Sequence, residues 1–137
     1  MRIDLDVFRK ITKVFLDSDE PLIEVRELTN AGIDISDGEG LFHYMLMIEK
    51  GFVSDYQLVK NDPHRLGYFF TQASIEKYDG AVVRLTAEGL EFAESLEIPS
   101  VFEKLKNLSS APLAVIKDIG MDLTKAYFKE KLNLKVD

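Results

Sequence analysis

Cysteine is absent from all 137 residues. The chain therefore has no disulfide, no thiolate metal ligand and no cysteine nucleophile, and its composition fits a reducing compartment. No stretch approaches the roughly 20 apolar residues of a membrane-spanning helix, and acidic residues occupy the N-terminal stretch where a signal peptide has its apolar run. We therefore expect a cytoplasmic protein that does not enter a membrane.

The motifs of common catalytic and cofactor sites are absent as well. Gly38 and Gly40 are not followed by the Gly-Lys-Ser/Thr of a phosphate loop, and there is no nucleophile elbow. His43 and His64 lie in different predicted elements, without the spacing of a metal-binding pair, and the carboxylates are scattered. We predict a protein that is not an enzyme and that has no catalytic, cofactor-binding or metal site.

Hydrophobic residues make up 46% of the chain, enough for a packed core, and the net charge is −7. Residues 1–99 hold 10 basic and 19 acidic residues, a balance of −9, whereas residues 100–137 hold 7 basic and 5 acidic residues, a balance of +2. Proteins that bind duplex DNA usually present a basic face, because phosphate contacts supply most of the non-specific affinity. The acidic balance of the first 99 residues makes DNA binding less expected.

Two amphipathic helices are predicted in the first half of the chain. The first runs from Asp4, its cap, to Leu16. The second runs from Ser36 to Lys50 and is the segment around which the fold is organised. Ser36 and Glu39 have the spacing of a capping box, and Gly51 has the position of a C-terminal capping glycine. Its apolar stripe is predicted to pack and consists of Leu41, Phe42, Met45, Leu46 and Ile48.

Strand patterns surround the second helix. Residues 22–34 fit either a short strand followed by a turn or a short helix ending at Gly32, and we favour the strand first. Residues 52–60 and 81–85 are predicted strands, and the segment between them is either an extra strand or an elaborated loop. Thr86 is expected to cap a further helix that packs through Phe92, Ala93 and Leu96.

The C-terminal part is predicted to be helical. A short helix spans residues 101–108 with Ser100 as its cap, a break follows at residues 109–112, and a long helix spans residues 113–132. The predicted apolar side of the long helix consists of Leu113, Val115, Ile116, Ile119, Leu123, Ala126 and Tyr127, with Phe128 as a further candidate. This helix is expected either to pack on the domain that precedes it or to form a homodimer with a second copy.

The order of these elements predicts an α+β fold, a winged helix-turn-helix over residues 1–97 with an elaborated wing and a C-terminal helical extension over residues 98–137. Three features point to a known family. They are the N-terminal stretch RIDLDVFRKIT, His43-Tyr44 followed by Gly51, and the LT-x-EG-x-EF signature of Leu85, Thr86, Glu88, Gly89, Glu91 and Phe92. In these features the chain resembles a small phage- and prophage-encoded winged-helix family of unknown function. The resemblance implies the fold and an origin in a mobile element, and it transfers no functional residues.

Two functions follow as hypotheses. Because the fold is most often used to bind DNA, we rank a transcriptional regulator that binds double-stranded DNA slightly first. The recognition-helix position presents Asp37, Glu39 and His43 in place of cations, so DNA contacts are expected elsewhere. The candidate contacts are Arg9, Lys10, Lys13, Lys60, Arg65 and Arg84, which could equally be solvated surface residues. The alternative is an interaction module whose acidic surface binds a basic protein without DNA.

Overall fold

The computed structural model describes residues 1–108 and 110–133. Ser109 of the predicted break and residues 134–137 of the predicted extension lie outside the described residues. Within the described ranges the architecture is mixed α+β, as predicted. The helices are α1 (Leu5–Asp17), α2 (Val25–Asn30), α3 (Gly38–Glu49), α4 (Ala87–Glu97), α5 (Pro99–Lys106) and α6 (Leu113–Lys131), and the strands are β1 (Ile23–Glu24), β2 (Val53–Asp55), β3 (Tyr68–Phe70), β4 (Ile75–Lys77) and β5 (Val82–Leu85).

The strands form two separate antiparallel sheets. In the larger sheet β5 lies between β1 and β2, with Ile23 opposite Val83 and Val53 opposite Leu85. The smaller sheet is the β3–β4 hairpin, which occupies the segment that the sequence left open between an extra strand and a loop. The stretch 22–34, also left open, contains both alternatives in succession, because the two-residue β1 leads directly into α2.

The predicted strand over residues 52–60 is wrong in its length, since β2 ends at Asp55. The Asp55 carboxylate accepts hydrogen bonds from the backbone N–H groups of Gln57 and Val59, both at 2.9 Å, and Leu58 has a φ of 64°. An aspartate that binds the backbone N–H groups following it stabilises a turn in competition with a strand. The apolar alternation that predicted a strand over residues 52–60 therefore extends beyond the strand that forms.

Two of the four predicted N-terminal caps are confirmed and two are wrong. Asp4 caps α1, and Thr86 caps α4 by accepting a hydrogen bond from the Gly89 N–H at 3.1 Å. Ser36 does not cap α3, whose N-cap is Asp37, because the Ser36 hydroxyl donates instead to Asp34 at 2.6 Å. Ser100 does not cap α5, because that helix already begins at Pro99 with Ile98 as its N-cap.

One hydrophobic core contains residues of the five helices from α1 through α5. It also contains residues of β1 and β2, the two strands that flank β5, and of the start of α6. Leu113 and Ile116 of α6 are buried, so the first half of the extension packs on the domain. Val115 and Ala126, predicted to lie on the apolar side of α6, are exposed, and so is the further candidate Phe128. Within the described ranges, no helix combines the length and the apolar content needed to cross a membrane.

Candidate interaction surface

The inner face of α3 attaches this helix to the rest of the protein. The buried residues of α3 are His43, Tyr44, Met47 and Ile48. The His43 Nε2 accepts the Asp4 backbone N–H at 2.9 Å, so its Nδ1 carries the hydrogen and donates to the Glu39 carbonyl at 2.8 Å. The Tyr44 hydroxyl donates to the Leu66 carbonyl at 2.7 Å, and burial raises the pKa of Tyr44. These bonds fix the rotation of α3 and so determine which residues face outward.

The outer face of α3 is also apolar. The residues partly exposed there are Leu41, Phe42, Met45 and Leu46. The sequence assigned these four residues to the packing face, together with Ile48. Ile48 is buried, and Leu41, Met45 and Leu46 are partly buried and pack against the core, so the assignment is confirmed in part. Because α3 is apolar on nearly all sides, the spacing of its apolar residues does not select one face, and part of each of the four side chains stays accessible on the outer face.

A groove of about 350 Å³ lies along this outer face. Its lining consists of Gly38, Leu41, Phe42, Met45, Leu46 and Glu49 from α3 and Ile75 from β4. Among these described lining residues Glu49 is the one charged side chain, and it makes no ion pair with the described part of the chain. We call this feature the α3 groove. It offers an apolar floor and one exposed carboxylate, which suits a partner with an apolar face and a nearby cation.

The β3–β4 hairpin forms the second wall of the α3 groove and extends its apolar surface. The buried Tyr68 of β3 donates a hydrogen bond from its hydroxyl to the Ile35 carbonyl, which holds the hairpin against the segment before α3. Phe70 is the cross-strand partner of Ile75, so both side chains lie on the same face of the hairpin, and both are exposed. The ring of His64 packs edge-on against Phe70 at 5.1 Å.

Arg9 and Lys13, two of the predicted nucleic-acid contacts, share one carboxylate. Arg9 Nε donates to Glu97 at 3.0 Å and Lys13 Nζ donates to the same carboxylate at 3.2 Å. The Arg9 guanidinium also lies 5.0 Å from the centre of the Phe102 ring. Partial burial would raise the pKa of Glu97, but the two cations outweigh this effect and lower it. These contacts connect α1 to α4 and α5, so the two cations have a role within the fold.

The loop after β2 holds a third predicted contact in an ion pair. Arg65 donates to Asp55 at 2.8 Å and to the Gln57 side chain at 3.0 Å. Burial opposes the ionisation of Asp55, yet Arg65 and the two backbone N–H donors outweigh this opposition and lower the pKa of Asp55. Asn61, in the same loop, donates to the Ile48 and Glu49 carbonyls and so caps the C-terminal end of α3.

The remaining predicted contacts, Lys10, Lys60 and Arg84, make no ion pair with the residues that the structure describes. They belong to α1, to the loop after β2 and to β5. Lys60 lies against Gly51, and Arg84 is 3.5 Å from the Ser54 hydroxyl. Of the six predicted contacts, these three are therefore available to an anionic ligand without breaking an ion pair.

In residues 1–108 and 110–133, no group of three or more His, Asp or Glu side chains is arranged to hold a metal ion. Comparison with protein-family models, with curated proteins and with solved structures found no match.

Proposed function

We propose that this chain is a winged-helix protein and that its α3 groove binds a helix of a partner protein. The fold proposal is supported by the order α1, β1, α2, α3, β2, by the return through β5, and by the sheet order β1-β5-β2. In this arrangement α3 occupies the recognition-helix position and the β3–β4 hairpin is an insertion in the wing. The phage or prophage origin implied by the resemblance stays a prediction.

The observation that carries the functional proposal is the apolar outer face of α3. A recognition helix that reads DNA presents donors and cations to base edges and phosphates. Here the same position presents Phe42 and Met45, with Glu49 one helical turn further along. A carboxylate next to phosphate is repelled, whereas burial of apolar surface stabilises a protein complex by about 25 cal/mol per Å² before the costs of association.

The partner that fits the α3 groove is an amphipathic helix with basic residues beside its apolar stripe. An apolar groove along a helix takes another helix through residues spaced i, i+3, i+4 and i+7. Lysine or arginine next to that stripe would pair with Glu49. It would also be attracted by residues 1–99, which hold 19 acidic and 10 basic residues. The proposal keeps the interaction module predicted as the alternative function and adds the α3 groove to its acidic surface.

A synthetic peptide tests the groove directly. The probe is a helix of about 18 residues with leucines along one face and lysines elsewhere, labelled for fluorescence anisotropy. Met45→Glu is expected to raise its dissociation constant by about tenfold or more, because a charge then occupies the apolar floor. A purely electrostatic attraction would instead be strengthened by the added negative charge.

Val115→Glu is the matched control, because it makes the same charge change at an exposed apolar position on α6. Its affinity for the peptide is expected to equal or exceed that of the unaltered chain. Equal binding by the Met45→Glu and Val115→Glu chains would overturn the proposal.

Duplex DNA provides the second arm of the test. Titration with random duplex at low salt, where phosphate contacts are strongest, is expected to show no binding by the unaltered chain. Binding that weakens on replacing Lys60 and Arg84 with glutamine, and that is unaffected by Met45→Glu, would favour the DNA-binding regulator in place of the protein-binding module.

A further inference from the structure

The end of α6 carries two exposed apolar side chains, which we call the α6 stripe. They are Phe128 and the C-cap residue Leu132, which are spaced i, i+4 and therefore lie on one face of the helix. Phe128 is 47% and Leu132 is 60% exposed. The buried residues of α6 are all in its first half, so the packing that holds this helix on the domain does not extend to the end of the stripe.

Two lysines flank this stripe. Lys125 precedes Phe128 by three residues and Lys129 precedes Leu132 by three residues, so each is a neighbour of the stripe on the helix surface. Both are exposed, and neither makes an ion pair with the described residues. The end of α6 is thus an apolar helix face with basic flanks, which is the chemistry that the α3 groove requires of a partner.

The α6 stripe is short enough for the groove. The α3 groove is lined from Gly38 to Glu49, about 16 Å at 1.5 Å per residue, whereas Phe128 and Leu132 lie about one helical turn apart. Because α6 packs along α4 and α5 and contributes no residue to the lining of its own groove, a helix that fills the groove comes from another molecule.

We propose that the occupant of the α3 groove is the end of α6 from a second copy of this chain. Phe128 and Leu132 enter the apolar floor, and Lys125 or Lys129 pairs with Glu49. Around a two-fold axis the exchange is reciprocal, and each dimer then contains two such contacts. A groove filled in this way cannot bind another helix, so self-association and binding of a different protein compete. This inference rests on the proposed function, since it needs a groove that accepts a helix.

Complementation between two variants tests the contact in the full chain. Met45→Glu damages the groove and leaves α6 intact, whereas Phe128→Glu damages the stripe and leaves the groove intact. By analytical ultracentrifugation each variant alone is expected to dissociate at concentrations about tenfold or more above those of the unaltered chain. An equal mixture is expected to recover a dimer, because one intact stripe meets one intact groove.

A mixture that dissociates like the separate variants would overturn the proposal. A Met45→Glu chain that associates as the unaltered chain does would also overturn it and would indicate an interface of α6 with α6. A monomeric unaltered chain would overturn it as well. Val115→Glu is the control and is expected to associate as the unaltered chain does. Lys125→Glu combined with Lys129→Glu changes only exposed side chains, so it tests the contact without affecting the core. Mixing that double variant with a Glu49→Lys chain is expected to restore association.

The leucine and lysine peptide separates failure of this inference from failure of the proposed function. The Phe128→Glu chain has an empty groove and is expected to bind the peptide more tightly than the unaltered chain, in which α6 competes. Peptide binding of equal affinity by both chains would overturn the inference and leave the proposed function standing. Loss of peptide binding by both chains would overturn both.

Discussion

Arg65 shows how a cation predicted to contact DNA contributes to the fold. It donates to Asp55, which is almost fully buried and also accepts the Gln57 and Val59 backbone N–H groups. The same pairing raises the pKa of Arg65. Removal of Arg65 would leave a buried carboxylate with backbone donors alone, so a loss of stability is expected.

Arg65→Met is expected to destabilise the protein at pH 7 and to have a smaller effect in acid. The pKa of Asp55 is lowered in the folded state, so the stabilisation is present above the ordinary carboxyl pKa of about 3.9. It is lost as the pH falls through the lower folded pKa, because Asp55 is then protonated in both states. Urea denaturation of both chains at pH 7 and at several values below pH 4 measures the difference.

Arg26→Met provides the comparison for that experiment. Arg26 pairs with Glu24 at 3.3 Å, but both side chains are about half exposed, and exposed pairs contribute little. Its effect is expected to be small at every pH. An Arg65→Met effect that is constant between pH 7 and pH 2 would exclude Asp55 as the origin of the destabilisation.

The sequence predicted the helix caps correctly where no second side chain competed for the hydrogen bonds of the capping residue. Asp4 and Thr86 each precede an amphipathic helix, and each caps it. Ser36 had the same signal and failed, because the carboxylate of Asp34 binds both its hydroxyl and its backbone N–H. These bonds lower the pKa of Asp34 and hold the turn before α3. A capping residue near a second turn-forming side chain is therefore ambiguous in a sequence.

At the scale of elements, α4 and α3 differ in how far their sequences determine their packing. Helix α4 has one apolar side, and the predicted inner residues Phe92, Ala93 and Leu96 are all buried. Helix α3 has apolar residues on both sides, and its orientation follows from the hydrogen bonds of His43 and Tyr44 to distant segments. Those long-range partners could not be read from spacing, and so the apolar groove was missed in the sequence.

Gly89→Ala is expected to destabilise the protein by roughly 1–3 kcal/mol, although alanine favours helices by about 1 kcal/mol. A Cβ at Gly89 would overlap the Phe52 carbonyl oxygen. That carbonyl cannot move freely, because it accepts the Thr86 N–H at 2.9 Å. The prediction is checked by urea denaturation, and a gain in stability would show that α4 and Phe52 can separate at little cost.

Gly120→Ala in α6 is the matched comparison. A Cβ there would lie 3.2 Å from Leu105 Cδ1 and from Ser95 Oγ, both of which are side-chain atoms that can shift slightly. The helix propensity of alanine offsets part of the remaining crowding. The loss of stability is therefore expected to be smaller than for Gly89→Ala.

At the scale of the whole molecule, the charge difference between the two parts of the chain was readable from the sequence, and the packing of the extension was not. A helix with an apolar side and lysines is compatible with two arrangements, because it can pack on its own domain or on a second copy of the chain. The structure assigns Leu113 and Ile116 to the common core and leaves Phe128 outside it. The two halves of α6 therefore have different surroundings, which one periodic pattern could not distinguish.

Two truncations are expected to separate these halves. A chain ending at Leu108 lacks Leu113 and Ile116, and each of these contributes roughly 2–5 kcal/mol when buried. A typical domain has a free energy of unfolding of about 5–15 kcal/mol, so this chain is expected to lose most of its stability. A chain ending at Thr124 retains both residues and loses Tyr127, which is partly buried against the core, so it is expected to be destabilised much less than the shorter chain. It lacks Phe128 and Lys129, so it is also expected to lose self-association. Equal stability of the two truncated chains would contradict the placement of Leu113 and Ile116 in the core, whereas persistent association of the longer one would exclude the end of α6 as its cause.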